Sequence, residues 1–128
     1  MKRVVHFEIH ADDPAACARW YGALFGWTMQ EMPALDYWLI NTGEGPGISG
    51  GIVRRKGPKP AIGAPVSSFV CTIGTDTLDA DFAAALKAGG VEALPKTPIP
   101  GVGYIAYVID PFGNIFGLHQ ADPNAGRP

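Results

Sequence analysis

Charge, cysteine and long apolar runs are all scarce in this chain. Of its 128 residues, 17% are Asp, Glu, Lys or Arg, and the formal net charge is only −2. That balance lays down no broad electrostatic footprint for nucleic acid or for an anionic membrane. Cys17 and Cys71 are the two cysteines, and they fall in different predicted elements. They read as free thiols of a reducing compartment rather than as a disulfide framework. No apolar stretch approaches the roughly 20 residues that span a bilayer. The opening MKRVVHFE lacks the apolar core of a signal peptide, so the cytoplasm is the expected location. What the chain has in quantity is turn formers, 17 glycines and 12 prolines. They punctuate many short elements, as in a sheet-rich single domain of this length. A hydrophobic content of 47% suffices for a core.

The periodicity predicts an order of elements. Val4–His10 alternates with period two and is rich in β formers, which predicts a strand. Asp12 or Asp13 can cap a following helix with Pro14 in its first turn. Ala16, Trp20, Ala23 and Leu24 then share one helical face, with Cys17 and Tyr21 one step round, and Gly26 is the stop. Strands are expected at Trp27–Met32, Tyr37–Asn41 and Ser49–Val53. RRKGPKPAIGAP, residues 54–65, loses all periodicity and reads as a linker. The order then begins again, with a strand at Val66–Ile73 and a helix capped by Thr75 or Thr77. That helix, with Leu78, Phe82, Ala85 and Leu86 on one face, is ended by Gly89-Gly90. Strands follow at Val91–Lys96, Tyr104–Ile109 and Ile115–His119, the last two joined by the turn DPFGN. The tail ADPNAGRP is expected to be mobile.

The pattern is βαβββ twice. A shift of 63 residues carries Asp13 onto Asp76 and Gly26 onto Gly89, the start and stop of the two helices. A period of half the chain points to two copies of one module, about 1–55 and 65–121, rather than to a solenoid.

Three stretches, HFEIHADDP, WYGALFGW and VIDPFGNIFGL, occur in an order and spacing that resembles the vicinal oxygen chelate superfamily. That group holds glyoxalase I, extradiol dioxygenases and bleomycin-resistance proteins. The resemblance implies an α+β fold of two βαβββ modules whose curled mixed sheet surrounds a cup, with the helices outside. It also implies a homodimer. In such a fold Val5, Phe7 and Ile9 pack under the first helix against Trp20 and Leu24, while His6, Glu8 and His10 look into the cup.

Metal-dependent members of the superfamily draw ligands from the first and last strand of each module. His6 matches the first such position. The matching position on the second module's first strand is Phe69, or Ser68 with a one-residue slip. The usual carboxylate position on the last strand is Gly117, and the equivalent strand SGGIV of the first module offers no carboxylate or imidazole. Divalent metals need about three protein ligands, so no bound metal is expected. A competing arrangement uses His6 with Glu8, His10 or His119, since side chains two apart on a strand lie about 6.5–7 Å apart and two can reach one ion.

Other constellations carry less. A His–Glu pair suits general acid–base chemistry, but it serves equally as an ion pair on a cavity wall. Cys71, in SFVCTI, and Cys17 read as buried, inert thiols. GEGPGISGG runs between strands with no helix or lysine following, which argues against a phosphate loop. Gly50 and Gly51 are expected instead to permit a bulge or the close approach of a ligand. The basic cluster RRKGPK lacks interleaved aromatics and reads as a solvated connector. Tyr37 and Trp38 must face opposite sides, as must Tyr104 and Tyr107. Trp20 is expected in the core. The expected function is a glyoxalase/bleomycin-resistance-like protein that binds a small organic ligand through His6, Glu8, His10, Trp38 and Tyr104. Neither nucleic acid nor membrane is an expected partner. The alternative is a metal-dependent lyase or dioxygenase of the same superfamily.

Overall fold

The computed structural model describes residues 2–127. The chain divides into two compact units, Met1–Pro60 and Ala61–Pro128, and the division falls inside the stretch predicted to be a linker.

In the first unit β1 (Phe7–Ala11) leads into α1 (Pro14–Phe25), followed by β2 (Thr28–Met32), β3 (Tyr37–Asn41) and β4 (Gly50–Arg54). A short 3-10 turn, Pro33–Leu35, separates β2 from β3. The sheet order is β1-β4-β3-β2, with β1 and β4 parallel and the other pairs antiparallel. In the second unit β5 (Cys71–Gly74), α2 (Leu78–Lys87), β6 (Val91–Ile99), β7 (Gly103–Ile109) and β8 (Ile115–Ala121) repeat the plan. Their order is β5-β8-β7-β6, again with the first pair parallel. Two βαβββ modules of one topology are therefore present.

The helix ends form as their residues dictate. Asp13 accepts a hydrogen bond from the Ala16 amide (3.1 Å), Pro14 opens α1, and Gly26 closes it in the left-handed region at φ 71°. At α2, Thr75 Oγ1 accepts from the Thr77 amide (3.0 Å), and the Leu78 amide donates to Gln120 Oε1 on β8 (2.9 Å). A buried first-turn donor is thus satisfied by the sheet it packs on. The DPFGN turn is organised by Asp110, which is 3% exposed and accepts from the Phe112 and Asn114 amides at 2.8 Å each. A buried carboxylate is tolerated there because backbone donors surround it.

Each sheet buries one face under its helix. Ile9, Ala11, Ile40 and Ile52 pack with Cys17, Ala18 and Tyr21 in the first unit. Ala106, Val108, Phe116 and Leu118 pack with Leu78 and Ala85 in the second. The face of α1 differs from the expected one. Tyr21, 2% exposed, stacks on Trp27 with ring centroids 5.5 Å apart and planes 4° apart, and Phe25 and Phe7 flank the same indole. That stack turns the helix so that Cys17 and Tyr21 point inward. Trp20 is left half-buried against the edge of Tyr21.

Other expectations also change. Val5 is 77% exposed rather than packed under α1, because β1 finds its parallel partner only from Phe7, opposite Gly50. Val66–Val70 are not strand, and β5 starts at Cys71, the first residue with a partner on β8. Phe69 is 100% exposed. Cys17 is buried as expected, but Cys71, at the start of an edge strand, is exposed. The tail is tied down: the Gly101 amide donates to the Ala125 carbonyl (3.0 Å), the Asp122 amide donates to the Val102 carbonyl (2.9 Å), and Ala125 is fully buried. Its last residue, Pro128, lies outside the described residues.

These burials set a contrast. Leu118→Ala, at a fully buried site, is expected to lower unfolding free energy by about 2–5 kcal/mol. Phe69→Ala should stay within about 0.5 kcal/mol of the parent. Urea denaturation of the two variants checks both.

Candidate functional site

The face of the first sheet away from α1 is set by strand register. His6, Glu8 and His10 alternate with the half-buried Phe7 and the buried Ile9 and Ala11. Glu8 lies beside Gly51 on β4, and Gly51 lies beside Leu39 on β3. Tyr37, opposite Val53, shares that face, whereas Trp38, opposite Ile52, lies on the face that carries α1.

Tyr37 is the residue that organises the face. Its hydroxyl donates to Glu8 Oε2 at 3.0 Å and lies 2.8 Å from His6 Nε2. The phenol has one proton and the carboxylate only accepts, so His6 Nε2–H donates to the phenol oxygen. The result is a directed chain, His6 to Tyr37 to Glu8. Removal from water, then the hydrogen bond and charge of Glu8, pushes the Tyr37 hydroxyl up to about 12.

Two features let Tyr37 reach across. Gly51 has no side chain, and a Cβ there would lie 2.0 Å from Tyr37 Oη. The expected close approach at this glycine is therefore made by the chain's own tyrosine. At Gly50 the neighbours are the carbonyl and ring of Phe7. The second feature is a clamp on the preceding residue. Asp36 sits at φ 48°, in the left-handed region. Arg54 holds it by Nε to Oδ2 (2.9 Å) and Nη2 to Oδ1 (3.2 Å), while Nη1 donates to the Asp12 carbonyl (3.2 Å). The Arg54 hydrogen bond keeps the Asp36 carboxyl below its ordinary range.

His6 also lines an open depression of about 480 Å³ at the end of the sheet, with Gln30, Leu39, Asn41 and Ser49 among its other walls. That volume suits a small molecule, for which sites run about 300–1,000 Å³. Glu8 and Tyr37 are not part of the wall but stand behind His6.

The other sequence candidates lie elsewhere. His10 is exposed two pairs further along β1, beside Val53. Tyr104 belongs to the second unit, opposite Gln120 on the face that carries α2, with Lys96 Nζ 4.6 Å from its ring centroid. His119 lies on β8 opposite Ile105. The residue passed over was Tyr37, and the signal that could have found it is Gly51, a bare position level with Glu8.

The second unit repeats the device. Thr72 lies beside Gly117, and a Cβ on Gly117 would meet the Tyr107 ring at 2.7 Å and Thr72 Oγ1 at 2.9 Å. In each unit a tyrosine ring covers a glycine on the last strand.

The sequence profile of the bleomycin resistance protein-like N-terminal family matches residues 3–43. No curated protein matches by sequence. Among solved structures, a glyoxalase/bleomycin resistance protein/dioxygenase family enzyme from Burkholderia phytofirmans superposes with a TM-score of 0.71 at 17% identity, over 91% of this chain and 97% of that one. The fold is that of the vicinal oxygen chelate superfamily. TioX from Micromonospora gives a TM-score of 0.68 at 18% identity, over 94% of this chain and 100% of that one. The fosfomycin resistance protein FosX from Listeria monocytogenes, in a structure with Mn(II) and a dihydroxypropylphosphonic acid, gives 0.71 at 14%, over 95% and 92%. At such identities the likeness is one of fold.

Donors for a metal such as the Mn(II) of the FosX structure are few on these faces. Gly51 and Gly117 offer no donor, and the space a carboxylate would need is taken by Tyr37 and Tyr107. Among the described residues no group of three or more His, Cys, Asp or Glu is placed to hold a metal ion.

The chain through Tyr37 predicts a pH signature. A phenol raised from 10.0 to about 12 stabilises the fold while it keeps its proton. That contribution is complete below about pH 10 and is lost as pH rises through the folded value. Ultraviolet titration, with Tyr37→Phe as reference, is expected to show Glu8→Gln returning Tyr37 toward 10. Gly51→Ala, which drives the phenol off its seat, should do the same and cost about 1–3 kcal/mol from overpacking.

Proposed function

We propose that this is a small-molecule-binding protein of the glyoxalase/bleomycin-resistance type that works without a resident metal, its ligand seated in the depression walled by His6. The observation that carries the reading is the double role of His6. It faces the depression on one side and is fixed from behind by Tyr37 on the other. A pre-positioned polar group at the mouth of a partly apolar hollow is the arrangement that orients a bound small molecule. Two cysteines outside any disulfide and the superfamily likeness support a cytoplasmic protein that pairs as a homodimer. No helix among the described residues is long and apolar enough to cross a membrane.

A metal-dependent lyase or dioxygenase is the second reading, favoured by the Mn(II) in the FosX structure. The tyrosines over Gly51 and Gly117 weigh against it.

Elemental analysis of protein purified without chelators separates the two. The expected result is no near-stoichiometric zinc, nickel, manganese or iron; such a metal, lost in His6→Ala, would overturn the proposal. A thermal-shift screen tests binding directly. A ligand at about 100 times its Kd adds about 2.7 kcal/mol, and that stabilisation should shrink in His6→Ala.

A further inference from the structure

We propose that His6 is locked as its Nε2–H tautomer, so that its Nδ1 lone pair accepts a ligand N–H or O–H and the depression selects donor-rich neutral or cationic molecules over anionic ones. This rests on the reading of the depression as the binding site.

The lock follows from the order of the hydrogen bonds. Glu8 can only accept, so Tyr37 spends its one proton on it (3.0 Å), and the phenol oxygen is left to accept from His6 Nε2 (2.8 Å). The raised Tyr37 hydroxyl keeps that proton across the physiological range, so the chain does not reverse. In a neutral imidazole whose Nε2 carries hydrogen, Nδ1 is a lone pair. Among the described residues no hydrogen-bond partner engages Nδ1.

The surrounding charges point the same way. No lysine or arginine lines the depression. On the face of His6, β1 contributes Glu8 and His10, β4 only Gly51 and Val53, β3 the uncharged Tyr37, Leu39 and Asn41, and β2 the uncharged Thr28, Gln30 and Met32. Arg54, at the far end of β4, is occupied by Asp36. The remaining polar walls are neutral: Gln30, Asn41, whose Oδ1 accepts from the Gly43 amide (2.9 Å), and Ser49, whose Oγ accepts from the Thr42 amide (3.3 Å). Glu8, two hydrogen bonds behind His6, attracts a cation and repels a carboxylate or phosphonate. An anionic ligand would bring acceptors to the accepting Nδ1 of His6, while the Asn41 amide and the Ser49 hydroxyl keep hydrogens for a ligand's own acceptors.

Nitrogen-15 imidazole spectra of the full chain at pH 8 test the tautomer, the His6→Gln variant identifying the signal. Benzamidine and benzoate, alike in size and opposite in charge and hydrogen-bond polarity, test the ligand class. The expected result is the Nε2–H form, with benzamidine shifting the His6 and Asn41 resonances saturably and benzoate leaving them in place. Tyr37→Phe should give a mixture of tautomers and weaken benzamidine by up to about twofold, as the accepting form becomes a fraction of the whole. An Nδ1–H form in the parent protein overturns the proposal. Benzoate shifting the same resonances as strongly as benzamidine overturns the ligand class while leaving the depression a binding site. Silence from both probes overturns the proposal and counts against the depression itself.

Discussion

Everything specific to this site depends on a side chain that is not there. Because Gly51 carries no Cβ, the Tyr37 ring can cross β4 and place its hydroxyl between His6 and Glu8. Without that passage, a histidine and a carboxylate on an exposed strand would be two solvated groups with freely rotating side chains. With it they become the ends of one directed chain. The Arg54 clamp on Asp36 works to the same end, since it fixes the backbone immediately before Tyr37. An exposed ion pair contributes little stability by itself, and its value here is positional: it holds a non-glycine residue in the left-handed region at the entry to β3.

Much of the architecture was legible in the sequence because local chemistry and tertiary packing agree. Asp13, Pro14 and Gly26 delimit α1 as their preferences dictate, and the DPFGN turn is self-organised around Asp110. Where one long-range contact decided the outcome, the sequence misled. Helical spacing placed Trp20 in the core, but the stack of Tyr21 on Trp27 rotated α1 by one residue. A β-rich run predicted strand over Val66–Val70, yet a strand exists only where a partner pairs with it, and β8 offers one from Cys71.

The site divides along the same line. Alternation along β1 was enough to put His6, Glu8 and His10 on one face. It could not say which of Tyr37 and Trp38 joins them, because that choice rests on the β3–β4 register. Nor could it show that Glu8 serves His6 from behind rather than lining the depression. The placement of Tyr104 rests on register too: its parity on β7 is that of Ala106 and Val108, which are fully buried in the core under α2.

The tyrosine-over-glycine pair recurs in both units, and this bears on how the chain could change over generations. A carboxylate introduced at either glycine meets an aromatic ring before it can serve any purpose. A route toward metal chemistry would therefore have to trim the rings at Tyr37 and Tyr107 first, and the step at Tyr37 would dismantle the hydrogen-bonded trio.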